Sequence, residues 1–259
     1  MMYDAQARRR YKAQARADIR AQFWPTMLTV ALETVPILLI SMIYETGNTI
    51  GEDGTIQNVE LFAGCLAIYL LAMVFIAAPL EFGAKHYFAA LARGQEASPM
   101  LVAACFASGK KYVTSLKLTF GIFVYAFIWW LLLAAVTVLI VMFALLGQAL
   151  LAALGALLIV PLALLVSVKI RRFDGAYLRM IDNPDGSVRK AIGACVPIFD
   201  GHNAELLVFD LSFFVWALFG VLTLGVVMIY VTAYQEIAFV HYFDALSGRT
   251  ARGGEALPE

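Results

Sequence analysis

Two carboxylic acids lie deep inside long apolar stretches of this sequence, where a charge is costly. Glu33 follows Trp24 by about nine residues, and Glu236 precedes Leu246 by about ten. With 1.5 Å of rise per residue, two helices of opposite direction would hold both carboxylates near the middle of a membrane. No lysine or arginine is expected at that depth. An ionisable residue in such a place marks a functional site by default, here one that handles protons or cations.

The same two acids also have a purely structural interpretation. Each carboxyl group would then be protonated and hydrogen-bonded to a neighbour such as Thr29. The role of these residues therefore stays open between chemistry and packing. The candidate intramembrane polar site consists of Glu33, Glu236, Tyr234 and Gln235.

The remaining polar residues are weaker candidates for chemistry. His241 and Asp244 share one helical face, which could begin a metal or acid–base site, but polar anchoring at an interface is the simpler interpretation. Lys85 follows Glu81 by one turn, so it can pair with Glu81 near the expected inner interface. The sequence has no glycine-rich phosphate loop, G-x-S-x-G elbow, H-E-x-x-H pair or C-x-x-C. We therefore expect no catalytic residue, no metal and no cofactor.

The composition indicates the surroundings in which these residues lie. Of the 259 residues, 62% are hydrophobic and 15% are charged, whereas soluble domains carry about 25% charged residues. The net charge is zero, which argues against a nucleic-acid-binding domain. Cys65, Cys105 and Cys195 are an odd number, and we interpret them as buried small hydrophobic residues rather than as a disulfide framework or zinc site.

Stretches of about 20 apolar residues cross a membrane as helices, and six can be marked. The apolar run 118–168 is too long for one crossing and divides at Gly147, while the run 206–246 divides between Gly220 and Gly225. The expected fold is all-α, a polytopic membrane bundle of about six transmembrane helices with amphipathic surface helices on its cytoplasmic side. The predicted spans are 25–44, 61–83, 116–145, 149–170, 205–221 and 224–246.

The positions of the charges predict the orientation of this single transmembrane domain, 25–246. Lysine and arginine gather in cytoplasmic loops. With the N-terminus inside, the loop 45–60 lies outside and holds four acids without a base, and all 19 lysine and arginine residues fall inside. Both termini, including a short tail at 247–259, are then cytoplasmic. A secretory signal peptide is the alternative, but Glu33 and Pro36 interrupt the first apolar stretch and no A-x-A site follows.

The N-terminal arm, residues 1–24, has an amphipathic pattern. Its basic stripe and its neighbouring apolar stripe both recur every four residues. This pattern is typical of a helix in the membrane interface, and Trp24 suits an aromatic belt. The alternative is a solvated arm that only enforces orientation. The basic stripe is Arg8, Lys12, Arg16 and Arg20, and the apolar stripe is Tyr11, Ala15, Ile19 and Phe23.

Two inner loops contain signals for further short helices. Ser98 precedes Pro99, which suits a helix cap followed by proline at the first helical position. Ser187 follows an N-P-D-G turn and can cap the segment that begins at Val188. Both segments are moderately apolar and are bordered by basic residues. They are expected either on the inner membrane face or packed beneath the bundle.

Several stretches together resemble the bacterial membrane proteins of the domain-of-unknown-function 975 family. They are YKAQARADIRAQFW, APLEFGAKHYFAALARGQE, IDNPDGSVRKAIGACVPIFDGHNAELLVFDLSFFVW and YVTAYQEIAFVHYFDAL. The resemblance covers nearly the whole chain. It departs from the family pattern at Pro161, which Leu162 follows in place of glycine, and before Tyr234, where alanine replaces proline. The resemblance implies a multipass helical protein of the bacterial cell (inner) membrane and implies no activity.

Three classes of function remain. The first is a non-enzymatic membrane protein that organises lipid or a membrane partner protein through its basic cytoplasmic face. The second is a proton- or cation-coupled transporter of a small solute or peptide, which would use the intramembrane carboxylates. The third, an intramembrane enzyme, lacks a nucleophile–base or metal constellation. We expect the partners to be the lipid bilayer with its anionic inner leaflet and a membrane protein, not nucleic acid.

Overall fold

The computed structural model describes residues 5–47, 58–223 and 225–249, and these form helices without any strand. Most of the predicted outer loop 45–60 and most of the tail 247–259 lie outside the described residues. In chain order the helices are α1 (Ala5–Ala21), α2 (Phe23–Gly47), α3 (Val59–Ala72), a π-helical segment (Met73–Ala77), α4 (Ala78–Ala92), a 3-10 helix (Pro99–Ala103), α5 (Gly109–Leu145), α6 (Ala149–Arg171), α7 (Asp174–Asp182), α8 (Val188–Ile198), α9 (Asn203–Leu211), α10 (Phe214–Leu222) and α11 (Val226–Leu246).

Within the described residues, five helical stretches are long and apolar enough to cross a membrane. The all-α polytopic fold predicted from the sequence is thus confirmed. The predicted turn at Gly147 is also present, because this glycine adopts a left-handed conformation with φ of 72° between α5 and α6. The five stretches are Phe23–Glu45, Val59–Ala92, Gly109–Leu145, Ala149–Asp182 and Val226–Leu246.

The predicted span 205–221 is not one continuous helix. It is divided into α9 and α10 at Ser212 and Phe213. The Ser212 hydroxyl donates to the carbonyl of Phe209, and the Ser212 N–H bonds to the carbonyls of both Val208 and Phe209. A side chain that competes for a helix carbonyl in this way bends helices, but Ser115 and Ser167 make the same kind of bond inside continuous helices. The apolar pattern of the span does not reveal the break.

The chain divides into two compact units. We name the first the arm unit, which comprises Arg9–Leu116 and Trp216–Glu259, and the second the hairpin unit, which comprises Met1–Arg8 and Lys117–Val215. The arm unit holds α2, α3, α4, α11 and most of α1. The hairpin unit holds α6 to α9 and most of α5.

The centre of the arm unit is α4, where nearly every side chain is buried. Gly83 lets this helix approach the 3-10 helix closely, since a Cβ atom there would lie 2.2 Å from the carbonyl oxygen of Val102. The π-helical segment precedes Pro79, which has no N–H for the carbonyl of Phe75 four residues earlier. The hydroxyl of Tyr112 donates to that carbonyl over 3.0 Å.

The hairpin unit is built on the turn between α5 and α6. Most residues of both helices are exposed, and a close approach occurs where Gly155 faces Ile140. The buried residues of this unit are concentrated instead in α7, α8 and the segment that follows, around Tyr177, Cys195 and Phe199. The unit therefore combines a small packed region with a long apolar hairpin.

The two inner-loop segments both form short helices. Ser98 accepts a hydrogen bond from the Met100 N–H over 3.4 Å, but only the five residues from Pro99 to Ala103 are helical, and they form a 3-10 helix. Ser187 precedes α8, and its side chain makes no capping hydrogen bond there. The placement of these segments on a membrane surface stays a prediction.

Candidate functional site

Two carboxylic acids of the arm unit contact one lysine, and a third interacts electrostatically with all three of these groups. The ammonium group of Lys85 on α4 lies 3.1 Å from Glu236 Oε2 on α11 and 4.0 Å from Glu81 Oε1 one turn earlier on α4. Glu33 on α2 interacts electrostatically with all three of these groups. The side chains of Lys85 and Glu236 are only 9% and 17% exposed, whereas that of Glu81 is 38% exposed. Three helices thus bring four ionisable groups into one cluster, which we call the Lys85 cluster.

The expectation that no base lies at the depth of Glu33 and Glu236 is wrong. The predicted second span ends at Gly83, so Lys85 was expected outside the apolar core. Instead α4 continues to Ala92, so Lys85 lies beside the middle of α11. Lys85 contacts Glu236 as well as its predicted partner Glu81, and it links two helices.

The contacts within the arm unit also define the directions of its helices. Eight residues after Lys85 and Glu236, Arg93 makes two 2.8 Å hydrogen bonds to the carboxylate of Asp244. Two such contacts in the same order mean that α4 and α11 run parallel. By contrast, Thr26 near the start of α2 lies 3.1 Å from the hydroxyl of Tyr87 on α4, while Glu33 interacts with Glu81. Therefore α2 runs opposite to both.

His241 and Asp244 do not form a joint site. Asp244 binds Arg93, whereas His241 Nε2 lies 2.7 Å from Asp18 Oδ2 on α1. Each side chain thus ties α11 to a different helix. The two residues are three apart on α11, but their partners come from distant parts of the chain.

Tyr234 and Gln235 were predicted to belong with the two glutamates. The ring of Tyr234 contacts the guanidinium of Arg16 on α1, 5.7 Å from ring centre to Cζ, and lies near Tyr230. Residues two apart on a helix do not share a face, so Tyr234 is directed toward α1 while Glu236 is directed toward α4. Gln235, which lies between them in the sequence, is half-buried. The site around Glu236 is completed by Lys85 and Glu81, which the prediction omitted.

The helix α1 packs with one face against α11. Ala15 and Ile19 are completely or almost completely buried, and the ring of Tyr11 lies 5.9 Å from that of Tyr242. Asp18 adds its contact with His241 on the same face. Two members of the apolar stripe predicted to enter lipid are therefore covered by protein. The interruption between α1 and α2 at Gln22 has a local cause, since Pro25 cannot donate to the carbonyl of Ala21.

The opposite face of α1 is basic, but it differs from the predicted stripe. Residues four apart on an α-helix advance by about 400°, so a stripe of period four drifts about 40° per step. Arg8 and Lys12 accordingly lie half-buried at the packed side, while Arg16 and Arg20 are exposed. The exposed residues of this helix fall within one arc, and four of them are small or uncharged residues: Gln6, Ala13, Ala17 and Ala21. We define the basic arm face as Arg9, Arg10, Arg16 and Arg20, of which Arg16 lies at its edge and also contacts the Tyr234 ring on α11.

The hairpin unit has a separate polar region where α6 meets α7 and α9. Arg171 binds Asp174 over 2.5 Å and lies 3.7 Å from Asp210, and Arg172 donates to the side chain of Asn203. These contacts join the end of one apolar helix, α6, to α7 and α9. In the sequence the two arginines were only markers of topology.

Neither unit offers a metal site within the described residues, where no three histidine, cysteine or acidic side chains are grouped to hold an ion. The cysteines Cys65, Cys105 and Cys195 are free and buried. Burial raises the pKa of Cys105 above its ordinary value of 9.0, and it raises the pKa of Cys195 to about 12. A thiol with such a pKa is a poor nucleophile at neutral pH.

The helices and their apolar surfaces define the class of this protein, which is a membrane-embedded, all-α polytopic protein. The chain matches the family model described as "Protein of unknown function (DUF975)" over residues 5–250, and it belongs to that family. No curated protein and no solved structure matches the chain.

Proposed function

We propose that the protein is a non-enzymatic membrane protein of the bacterial inner membrane that organises anionic lipid through the basic arm face. The observation that carries this proposal is the two-sided role of α1. One face is packed on α11 through Tyr11 and Asp18, and the other face presents arginine side chains. Both termini are cytoplasmic in this proposal, because cytoplasmic segments carry the excess of lysine and arginine.

The packed helix makes the basic arm face an effective lipid-binding surface. A base near an anionic membrane surface contributes about 1 kcal/mol, so three of these arginines supply up to about 3 kcal/mol. A free arm would lose part of that energy in ordering itself, whereas a helix already held by contacts to Tyr242 and His241 does not. No ion pair of Arg9, Arg10 or Arg20 occurs within the described residues, so their charges are available to phosphate groups.

The test measures lipid preference of the full-length protein reconstituted into mixed bilayers. Spin-labelled phosphatidylglycerol and phosphatidylcholine report which lipid the protein immobilises. We expect a preference for phosphatidylglycerol that falls as salt rises and that falls several-fold in the variant Arg9→Gln, Arg10→Gln, Arg20→Gln. The matched control removes three exposed bases elsewhere, at Lys110, Lys111 and Lys117. An equal loss in both triple variants would mean that the arm has no special role.

The Lys85 cluster favours a second candidate function, proton- or cation-coupled transport of a small solute or peptide. Three carboxylates and one ammonium group carry together a net charge of minus two if all four groups are ionised, because three minus one is two. Negative charge concentrated inside a membrane is costly, and proton or cation binding would reduce it. The side chain of Glu81 is more exposed than that of Glu236, at 38% against 17%.

Isosteric amide variants test this second function. Glu33→Gln and Glu236→Gln keep the shape of the side chain and its capacity for hydrogen bonds, but they remove the titratable proton of the carboxyl group. A pH-sensitive dye inside proteoliposomes measures proton uptake under an imposed pH gradient. Transport predicts uptake by the parent protein and its loss in either variant. Absence of uptake above that of protein-free vesicles would leave the cluster with a structural role only.

A further inference from the structure

An apolar groove of about 620 Å³ lies between α2 and α11 within the arm unit. Its α2 wall runs from Phe23 to Ala31, and its α11 wall runs from Val226 to Tyr230. The groove is open along one side, and Trp24 at its margin is 78% exposed. An open apolar groove on a membrane-embedded helix pair is accessible to the hydrocarbon chains of lipid.

The directions of the two helices make this groove elongated. Because α2 and α11 run in opposite directions, residue 23 at the start of one wall and residue 226 at the start of the other lie toward opposite ends. The α2 wall alone covers about 12 Å at 1.5 Å per residue. One leaflet of a bilayer has a hydrocarbon depth of about 15 Å, half of the 30 Å core. The groove therefore has the length of one acyl chain.

A basic residue, Arg20, precedes the α2 wall of the groove by three residues in the chain. Arg20 is exposed in the last turn of α1 and precedes Trp24 by only four residues. Tryptophan prefers the level of the lipid headgroups, and arginine binds phosphate through its planar fork of donors. A base at one end of an apolar groove is complementary to an amphiphile with an anionic headgroup. It is not complementary to a neutral or purely hydrophilic solute.

We propose that this groove binds one anionic glycerophospholipid, with an acyl chain between α2 and α11 and its phosphate at Arg20. This inference rests on the proposed function, since it identifies one specific lipid site beside the basic arm face. The site would hold its lipid longer than the freely exchanging lipids around the protein, because the chain contacts two helices and the phosphate contacts a charged residue.

Photo-crosslinking in the full-length reconstituted protein tests the proposal. The probes are phosphatidylglycerol and phosphatidylcholine that each carry a diazirine in an acyl chain, and mass spectrometry locates the labelled peptides. We expect labelling of residues 23–31 and 226–230, at least several-fold stronger with the phosphatidylglycerol probe. Arg20→Gln should reduce this headgroup preference while chain labelling of the groove persists.

Filling the groove provides the decisive variant. Ala31→Phe places a ring inside it and should reduce labelling several-fold, whereas Ala135→Phe, the same change at an exposed position of α5, should not. Met27→Trp serves as a second groove-filling variant if Ala31→Phe does not fold. Labelling that survives both groove variants would overturn the lipid site, even where the arginine triple variant upholds the proposed function. Equal labelling by the two probes would overturn the assignment of an anionic lipid.

Discussion

The arm unit and the hairpin unit solve the problem of packing in a membrane differently. In the arm unit about half of the residues in the apolar stretch of α11 are buried. Each of α1, α2 and α4 also contacts another helix through polar side chains. In the hairpin unit none of the residues in the apolar stretch of α5 is fully buried, and very few are in that of α6. Lipid tails are as apolar as leucine, so burial alone gives membrane helices little reason to associate.

This contrast shows where specific structure is concentrated. The arm unit is held by defined contacts such as Lys85 with Glu236 and Arg93 with Asp244. In the hairpin unit most apolar side chains of α5 and α6 are exposed, and the polar contacts are concentrated near Arg171. Substitutions in the arm unit should therefore affect stability far more than equivalent substitutions on the exposed hairpin. The following predictions test that difference.

The largest effect is expected at Lys85. Lys85→Met removes the cation that lies 3.1 Å from the carboxylate of Glu236 and leaves that largely buried acid without this partner. Loss of one member of a buried pair costs about 3 kcal/mol or more. The thermal unfolding temperature of the purified protein, followed by circular dichroism in detergent, should fall markedly. Lys117→Met, at an exposed position, is the matched control and should have little effect.

A double variant decides whether the pair itself is responsible. Adding Glu236→Gln to Lys85→Met removes the buried charge as well, so much of the lost stability should return. If the double variant is as unstable as the sum of the single variants, Lys85 stabilises α4 through packing of its aliphatic chain instead.

A smaller loss is expected from Gly83→Ala. The added methyl group would lie 2.2 Å from the Val102 carbonyl oxygen, so α4 and the 3-10 helix must separate. Overpacking of this kind costs about 1 to 3 kcal/mol. Gly64→Ala in α3 is the control, because its methyl group would meet open space and alanine favours helix formation by up to about 1 kcal/mol. Opposite changes in unfolding temperature are therefore expected, and equal changes would contradict close packing at Gly83.

The sequence was sufficient to predict most of the helices, because their apolar runs are long. The turn at Gly147 and the final helix from Val226 follow directly from the lengths of those runs. The break at Ser212 did not, because the apolar stretch runs through it without a glycine or proline to mark an end. The C-terminal end of α4 was also not predicted. The continuation of this helix to Ala92 is stabilised by contacts with residues of α11 about 150 positions later in the chain.

The candidate site was only partly predictable for the same reason. Glu33 and Glu236 were recognisable as acids within apolar runs, and the structure places them in one cluster. Lys85 was recognisable as a partner of Glu81, but its pairing with Glu236 depends on the parallel arrangement of α4 and α11, which the sequence does not show. On the arm, the predicted four-residue spacing includes Arg8 and Lys12, which are half-buried, and omits Arg9 and Arg10, which are exposed. A helical face depends on the angle of each residue around the axis, so a spacing of four drifts away from one face.

A loss of about 1 kcal/mol is expected from Tyr112→Phe. The Tyr112 hydroxyl supplies the carbonyl of Phe75 with a hydrogen bond where Pro79 has no N–H to offer. The net value of such a bond is about 1 kcal/mol. The hairpin unit provides the control, Tyr125→Phe, at a largely exposed ring. A similar unfolding temperature for the two variants would mean that the π-helical segment needs no support from Tyr112.

The smallest effect is expected in the packed region of the hairpin unit and only in alkali. Cys195 is fully buried, its thiol donates to the Ala191 carbonyl over 3.1 Å, and burial raises its pKa from 9.0 to about 12, a shift that Arg179 opposes and Asp174 reinforces. Below pH 9 both the folded and the unfolded thiol are protonated, so stability does not depend on this group. Above pH 9 the unfolded chain loses the proton that the folded chain keeps, so stability falls as pH rises toward 12, by about 0.8 kcal/mol at pH 9.5. Unfolding curves at pH 8 and pH 9.5 should therefore differ more for the parent protein than for Cys195→Ala, and identical pH dependence in the two proteins would show that this thiol ionises equally in both states.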